Sequence, residues 1–184
     1  MVSDIVCEYM VKRKLDTVQI LKVAAVFAAG FAATYVLSAI GAYADFSGGM
    51  MRAILVIIGV GVTIFFGRWF LMIEYEYAYF NGEITFDRIS AKSRRKHLAD
   101  LDLKIVEKMG RPGDEAVGSL KVDAVRDYSA SLDNPGTIYL YYKDPACGKN
   151  TLLFFTPNQK MIDAMKTSVS ATVYREFFSK TKKN

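Results

Sequence analysis

The chain has 184 residues, a formal net charge of +5 and a hydrophobic fraction of 52%. That length allows one ordinary domain with some extra structure, and the apolar fraction is high for a fully soluble protein. The two cysteines, Cys7 and Cys147, are too few for a metal site or a disulfide framework, and we predict no metal and no cofactor. The distribution of charge divides the chain into a short N-terminal segment, 1–16, a hydrophobic region, 17–73, and a soluble domain, 74–184.

The N-terminal segment alternates apolar and charged residues, as in Ile5, Val6 and Tyr9 against Asp4 and Glu8. It is interpreted either as a short interfacial amphipathic helix or as an extension of the first hydrophobic helix. We favour the extension.

Two long apolar stretches predict a transmembrane α-helical hairpin over 17–73. The 22 residues 23–44 carry no charge, and a helix of that length spans the roughly 30 Å hydrocarbon core of a bilayer. The second stretch, 53–73, is interrupted only by Arg68. A long arginine side chain can reach the headgroups, and tryptophan favours the same interface, so Arg68 and Trp69 are predicted to anchor the hairpin there.

Basic residues flank the hairpin on both sides and predict its orientation. Lys12, Arg13 and Lys14 precede it, the basic residues 88–96 follow it, and Arg52 alone lies in the connection. Positive charge is enriched on the cytoplasmic side of membrane proteins. We therefore predict a multi-pass protein of the cell membrane with both termini in the cytoplasm.

Small residues recur in both apolar stretches and allow close approach of helices. They are Ala25, Ala29 and Ala33 in the first stretch, and Gly59, Gly61 and Gly67 in the second. Packing within one chain and packing between chains, as in a homo-oligomer, both remain open.

The soluble domain begins with a β-hairpin pattern. Residues 74–79 alternate glutamate or alanine with three tyrosines, and Asn81-Gly82 follows. Asn-Gly favours a two-residue type I′ turn, because both central positions need positive φ. This turn predicts that Tyr79 faces Ile84 and Tyr77 faces Phe86, with Tyr75 facing Arg88.

The rest of the domain predicts an antiparallel meander closed by a helix. Strands are expected at 103–109, 124–131, 137–143 and 151–156, with a weaker candidate at 118–122. Thr156 as N-cap, Pro157 at the first helical position and Gln159 in a capping box predict a helix over 157–178. Its apolar stripe should cover one end of the sheet and consists of Met161, Ile162, Met165, Val169, Val173 and Phe177.

This order of elements resembles the bacterial pleckstrin-homology-like (PH-like) membrane proteins, especially short ones from Gram-positive anaerobes. The resemblance lies in EYEYAYFNGEITFDRI, residues 74–89, and AKSRRK, residues 91–96. It implies a two-helix transmembrane hairpin joined to an α+β PH-like domain, an antiparallel sheet or barrel of six or seven strands with a C-terminal helix. The phosphoinositide-binding loop of eukaryotic relatives is not carried over, because Asn81-Gly82 forms a tight turn in its place.

A basic tract is the most conspicuous polar feature of the domain: Lys92, Arg94, Arg95 and Lys96. Each such residue near an anionic leaflet can contribute around 1 kcal/mol, so the tract is a candidate contact for anionic phospholipid headgroups or a partner protein. The alternative is a solvated strand end that only directs membrane orientation. A nucleic-acid partner is disfavoured, because 74–184 holds 18 Lys/Arg against 15 Asp/Glu.

No catalytic pattern accompanies the only histidine, His97. The sequence has no nucleophile elbow, phosphate loop or metal-binding spacing, so we predict that the protein is not an enzyme. The favoured function is a membrane-tethered scaffold or adaptor that binds a partner protein or anionic lipid headgroups. The alternative is a small accessory subunit of a larger membrane complex, bound through its transmembrane hairpin.

Overall fold

A computed structural model of the chain describes residues 6–14, 17–43 and 49–181. The sheets and C-terminal helices form one compact unit, and the two long helices with the turn 90–93 form a second. The long elements are strand β1 (Val6–Lys12), helices α1 (Thr17–Tyr43) and α2 (Gly49–Leu71), and strands β2 (Ile73–Phe80), β3 (Glu83–Ser90) and β4 (Arg94–Asp102). They are followed by β5 (Val106–Gly110), α3 (Glu115–Gly118), β6 (Ala124–Asp127), β7 (Ile138–Lys143), β8 (Asn150–Phe155), α4 (Gln159–Met165) and α5 (Ala171–Thr181).

The predicted β-hairpin, strands β2 and β3, forms the centre of a four-stranded sheet with order β1-β2-β3-β4. Asn81 and Gly82 have φ values of 47° and 97°, as the type I′ turn requires. The rings of Tyr77 and Phe86, the predicted cross-strand pair, have centroids 5.6 Å apart and are fully buried. The inward tyrosines of β2 therefore form core, as their period-two spacing indicates.

The helical interpretation of the N-terminal segment is wrong, since residues 6–12 form strand β1. This strand pairs antiparallel with β2, with Val6 opposite Phe80 and Lys12 opposite Glu74. Cys7 is buried whereas Met10 is 54% exposed, which is the alternation of an edge strand with one face on the core. Its partner strand, β2, follows the hydrophobic region in the chain. The residues next to β1 in sequence belong to the first apolar helix, and they favoured a helix for this segment.

The second sheet departs from the predicted meander. Its order is β5-β7-β8-β6, and β6 runs parallel to β8. A short 3₁₀-helix, Leu103–Ile105, occupies the start of the expected strand 103–109.

The weak strand candidate at 118–122 is also wrong. Helix α3 and the following loop replace it, with Val117, Leu120 and Val122 packed on the buried cluster Tyr139, Tyr141, Leu152 and Phe154. Strands β7 and β8 are apolar at nearly every position, so both of their faces need cover, and this segment covers one of them.

The predicted C-terminal helix, 157–178, is two helices, α4 and α5. Asn158 caps α4, because its side-chain oxygen accepts a hydrogen bond of 2.8 Å from the Met161 amide. Thr156, the expected cap, instead accepts a hydrogen bond from the Ala130 amide and contacts the Thr137 hydroxyl. The predicted apolar stripe is buried at all its positions except Ile162, which is half-buried.

Helices α1 and α2 pack together through glycine and threonine. A Cβ added to Gly30 would collide with the side chain of Thr63, and one added to Gly59 would collide with the side chain of Thr34. Thr34 and Thr63 are buried, whereas Ala25, Ala29 and Ala33 are exposed. Gly30 and Gly59, rather than the alanine row, therefore allow the close approach of the two helices.

Among the described residues, one helical stretch, 20–40, is long and apolar enough to cross a membrane. The described apolar stretch of α2, 53–65, is shorter. Length and composition therefore support one of the two predicted membrane spans, the one in α1.

Candidate functional site

The basic tract is divided between a turn and a strand. Lys92 lies in the β3–β4 turn with φ of 58°, and Arg94, Arg95 and Lys96 begin β4. The Ala91 amide donates a hydrogen bond of 2.8 Å to the carbonyl of Met72, the residue that follows α2. Lys92 is consequently held beside the C-terminal end of α2.

Arg95 is drawn into an ion-pair network across three strands. Its Nε lies 2.7 Å from Asp87 Oδ2, and its Nη2 lies 2.9 Å from Glu76 Oε2. The hydrogen bond that Arg95 donates to Asp87 and the charge of Glu76 raise the pKa of Arg95. These carboxylates balance the guanidinium charge, so Arg95 is not equivalent to its neighbours in the tract.

His97 extends the same network. Its Nδ1 lies 3.1 Å from Asp87 Oδ1, its Nε2 lies 3.1 Å from Asp100 Oδ2, and Asp100 also accepts a hydrogen bond from the Thr85 hydroxyl. Both ring nitrogens face carboxylates. Among the contacts described for His97, neither nitrogen meets a hydroxyl or a thiol.

The other predicted site residues are three cations of the basic tract and the two proposed interface anchors. Lys92, Arg94 and Lys96 are exposed. Arg68 and Trp69 belong to α2, but their side chains lie outside the described part of the chain, so their role as interface anchors stays a prediction.

The carboxylates Glu76 and Asp87 were missed by sequence reasoning. They lie on the face of the first sheet opposite the buried tyrosines, and Glu8 of β1 adds to the field at Arg95. The signal was present, since Glu76 and Asp87 occupy the outward positions of the predicted hairpin. The tract was interpreted alone, without the neighbours that strand pairing supplies.

Arg13, predicted only as an orientation signal, also joins the two sheets. Its Nη1 donates a hydrogen bond of 2.7 Å to the Tyr75 hydroxyl, and its Nη2 lies 3.0 Å from Asp127 Oδ2. Asp127 ends β6, so this contact fixes the end of β1 against the second sheet.

No group of three or more His, Cys, Asp or Glu side chains within the described ranges could hold a metal ion.

A family model described as a bacterial PH-like domain (DUF6106) matches residues 3–175, from the beginning of the N-terminal segment into α5. No curated protein and no solved structure matches the chain.

Proposed function

We propose, from the premise that this chain belongs to the bacterial PH-like domain family, that it is a binding module held at the membrane by α1 and α2. Its PH-like domain acts as a non-catalytic scaffold or adaptor that binds a partner protein or anionic lipid headgroups. The engagement of both His97 nitrogens by carboxylates supports a role without catalysis.

The pairing of β1 with β2 carries the tether proposal. Lys12 lies opposite Glu74, so the chain leaves the sheet before α1 and returns to a neighbouring position after α2. A segment whose two ends meet on one side of a bilayer crosses it an even number of times. If α1 crosses the membrane, the following segment must cross back, and α2 is the helix available for the return.

The surfaces of the two helices support the same proposal. Large apolar side chains are exposed along both of them, including Leu21 at 71%, Tyr35 at 77% and Ile57 at 71%. Soluble monomers rarely expose contiguous apolar patches beyond a few hundred Å². Contact with lipid tails removes this surface from water.

The orientation follows from charge. With the basic residues on the cytoplasmic side, both termini and the PH-like domain lie in the cytoplasm and the connection at 44–48 lies outside. Lys92, held beside the end of α2, then lies near the anionic headgroups, with Arg94 and Lys96 next along the chain.

Labelling with a membrane-impermeant maleimide tests this orientation. In a Cys147→Ser background, Ser47→Cys should react on intact cells, because it lies in the proposed external connection. In the unaltered protein, the native Cys147, which is exposed, should react only after the membrane is permeabilised. Buried Cys7 serves as the internal control and should react only after unfolding. Reaction of Cys147 on intact cells, or protection of Ser47→Cys there, would overturn the proposal.

A second candidate function is an accessory subunit bound through the helices. The observation favouring it is the exposure of Ala25, Ala29 and Ala33 on α1 and of Gly61 on α2, since small residues permit close approach of another helix. Cross-linking in native membranes through these helix positions, rather than through the PH-like domain, distinguishes the subunit from the adaptor.

A further inference from the structure

The positive charge of the PH-like domain is concentrated in its C-terminal segment. Residues 158–184 hold six Lys/Arg against two Asp/Glu, whereas 74–157 hold twelve against thirteen. Within 74–157, Arg95 is already paired with Asp87 and Glu76. The C-terminal segment is therefore a stronger candidate than the tract at 92–96 for attracting an anionic partner.

A cleft opens on this segment between the end of α4 and the outward side of α5. Its volume is about 550 Å³, and it is lined by Lys166, Ala171, Tyr174, Arg175, Phe178 and Ser179. Small-ligand and side-chain pockets in proteins have volumes of roughly 300–1,000 Å³. The cleft is therefore large enough to receive one or two side chains of a bound peptide.

Two aromatic rings form the apolar part of the cleft. Tyr174 and Phe178 are one helical turn apart, and their ring centroids are separated by 4.5 Å. A different face of α5 packs on the core, since Val173 and Phe177 are buried. Tyr174 and Phe178 are only half-buried, so they form a second apolar stripe with surface left for a ligand.

Two cations border these rings. Lys166 Nζ lies 5.7 Å from the centroid of Tyr174, and both Lys166 and Arg175 are exposed. Within the described part of the chain neither has a carboxylate in ion-pair range. The nearby carboxylate of Asp163 instead accepts a hydrogen bond from Gln159.

We propose that this cleft binds an acidic polypeptide segment that inserts an apolar side chain. The inserted side chain packs on Tyr174 and Phe178, and flanking carboxylates pair with Lys166 and Arg175, whose guanidinium can bind a carboxylate through two hydrogen bonds. Two adjacent aromatic rings beside two cations favour a peptide over a bilayer, because a headgroup surface offers anions without an apolar side chain to pack on the rings. This inference rests on the proposed binding function and specifies the partner class.

The test uses the full-length protein in nanodiscs of neutral lipid. The probe is a fluorescent ten-residue peptide of alternating Glu and Gly with a central Trp, followed by fluorescence anisotropy. We expect saturable binding that weakens as salt rises, because the pairs are exposed. A peptide with Lys in place of Glu, and one with Ser in place of Trp, should bind much more weakly.

Variants locate the binding. The double variant K166E/R175E should weaken affinity for the peptide about tenfold or more, and Phe178→Ser should weaken it while leaving the salt dependence in place. The matched control is Lys160→Glu, a charge reversal at an exposed residue of α4 outside the cleft. Thermal unfolding establishes that each variant is folded.

Three results would overturn the inference: no binding of the acidic peptide, equal loss in the Lys160→Glu control, or binding to phosphatidylglycerol nanodiscs alone that K166E/R175E abolishes. The last would identify a lipid surface in place of a peptide site. Maleimide labelling of the same protein tests the proposed membrane orientation independently. If the labelling agrees with that orientation but the protein does not bind the peptide, the peptide-site proposal alone is overturned.

Discussion

Arg95 and Lys96 are adjacent in β4 and carry the same charge in different surroundings. Arg95 contacts Asp87 and Glu76, and the side chain of Asp87 is only 11% exposed. Lys96 is exposed, and its own strand and turn supply further cations. The charge of Arg95 therefore stabilises the sheet, whereas the charge of Lys96 is available to a partner.

Charge reversal at these two positions should affect stability unequally. Arg95→Glu places a third carboxylate beside Asp87 and Glu76, so we expect a clear fall in the melting temperature of the full-length protein in detergent. Lys96→Glu makes the same change in net charge and should leave the melting temperature nearly unchanged. Thermal unfolding followed by near-ultraviolet circular dichroism measures both, and equal shifts would contradict the assigned contacts.

The network around Arg95 shows what a sequence reveals at this scale. The tract itself is visible as consecutive basic residues. Its partners come from β2 and β3, and identifying them requires the pairing and register of three strands. The basic residues were therefore predictable, whereas the pairs of Arg95 with Glu76 and Asp87 were not.

At the scale of elements, the α1–α2 contact depends on Gly59 but not on Gly61. A Cβ at Gly59 would collide with Thr34, a β-branched residue with little freedom to move. A Cβ at Gly61 would meet nothing within 4 Å. The two glycines lie two residues apart in one helix, and each serves as the control for the other.

Gly59→Ala should destabilise the helix pair by about 1–3 kcal/mol, the usual cost of overpacking. Gly61→Ala should be neutral or stabilising by up to about 1 kcal/mol, because alanine favours helix over glycine. Unfolding of the full-length protein in mixed micelles of rising dodecyl sulfate content measures both. A Gly61→Ala variant that is the less stable of the two would refute the packing.

Elements with local signals were predicted, and elements defined by distant partners were not. The Asn81-Gly82 turn fixes β2 and β3 from neighbouring residues alone. The parallel pairing of β6 with β8 depends on chain segments far apart. The break between α4 and α5 was hidden because the apolar stripe continues through it, with Val169 buried between the two helices.

At the scale of the whole molecule, the PH-like domain is built from chain segments on both sides of α1 and α2. Strand β1 precedes them, and the remaining strands follow. A fragment consisting of 74–184 would lack β1, its buried Cys7 and the contacts of Arg13 with Tyr75 and Asp127. The edge of β2 and part of its aromatic face would be left open to water.

Joining 1–14 to 74–184 through about four Gly or Ser residues should restore a soluble domain, because paired antiparallel residues lie roughly 5 Å apart. We expect the joined protein to melt cooperatively, and the fragment 74–184 to melt at least about 10 °C lower or without a clear transition. Circular dichroism and thermal scans compare them. Equal, cooperative melting of both would show that β1 is dispensable.

The position of β1 also has a consequence for biosynthesis. Arg13 and its partner Tyr75 are 62 residues apart in the chain, so β1 leaves the ribosome well before β2 exists. At roughly 5–20 residues per second, translation of that interval takes several seconds. During this time β1 has no neighbouring strand from its own sheet, and both long helices are synthesised before that neighbour appears. Synthesis of both helices therefore precedes closure of the sheet, and a chain that ends after α2 would hold a first strand without its partner β2.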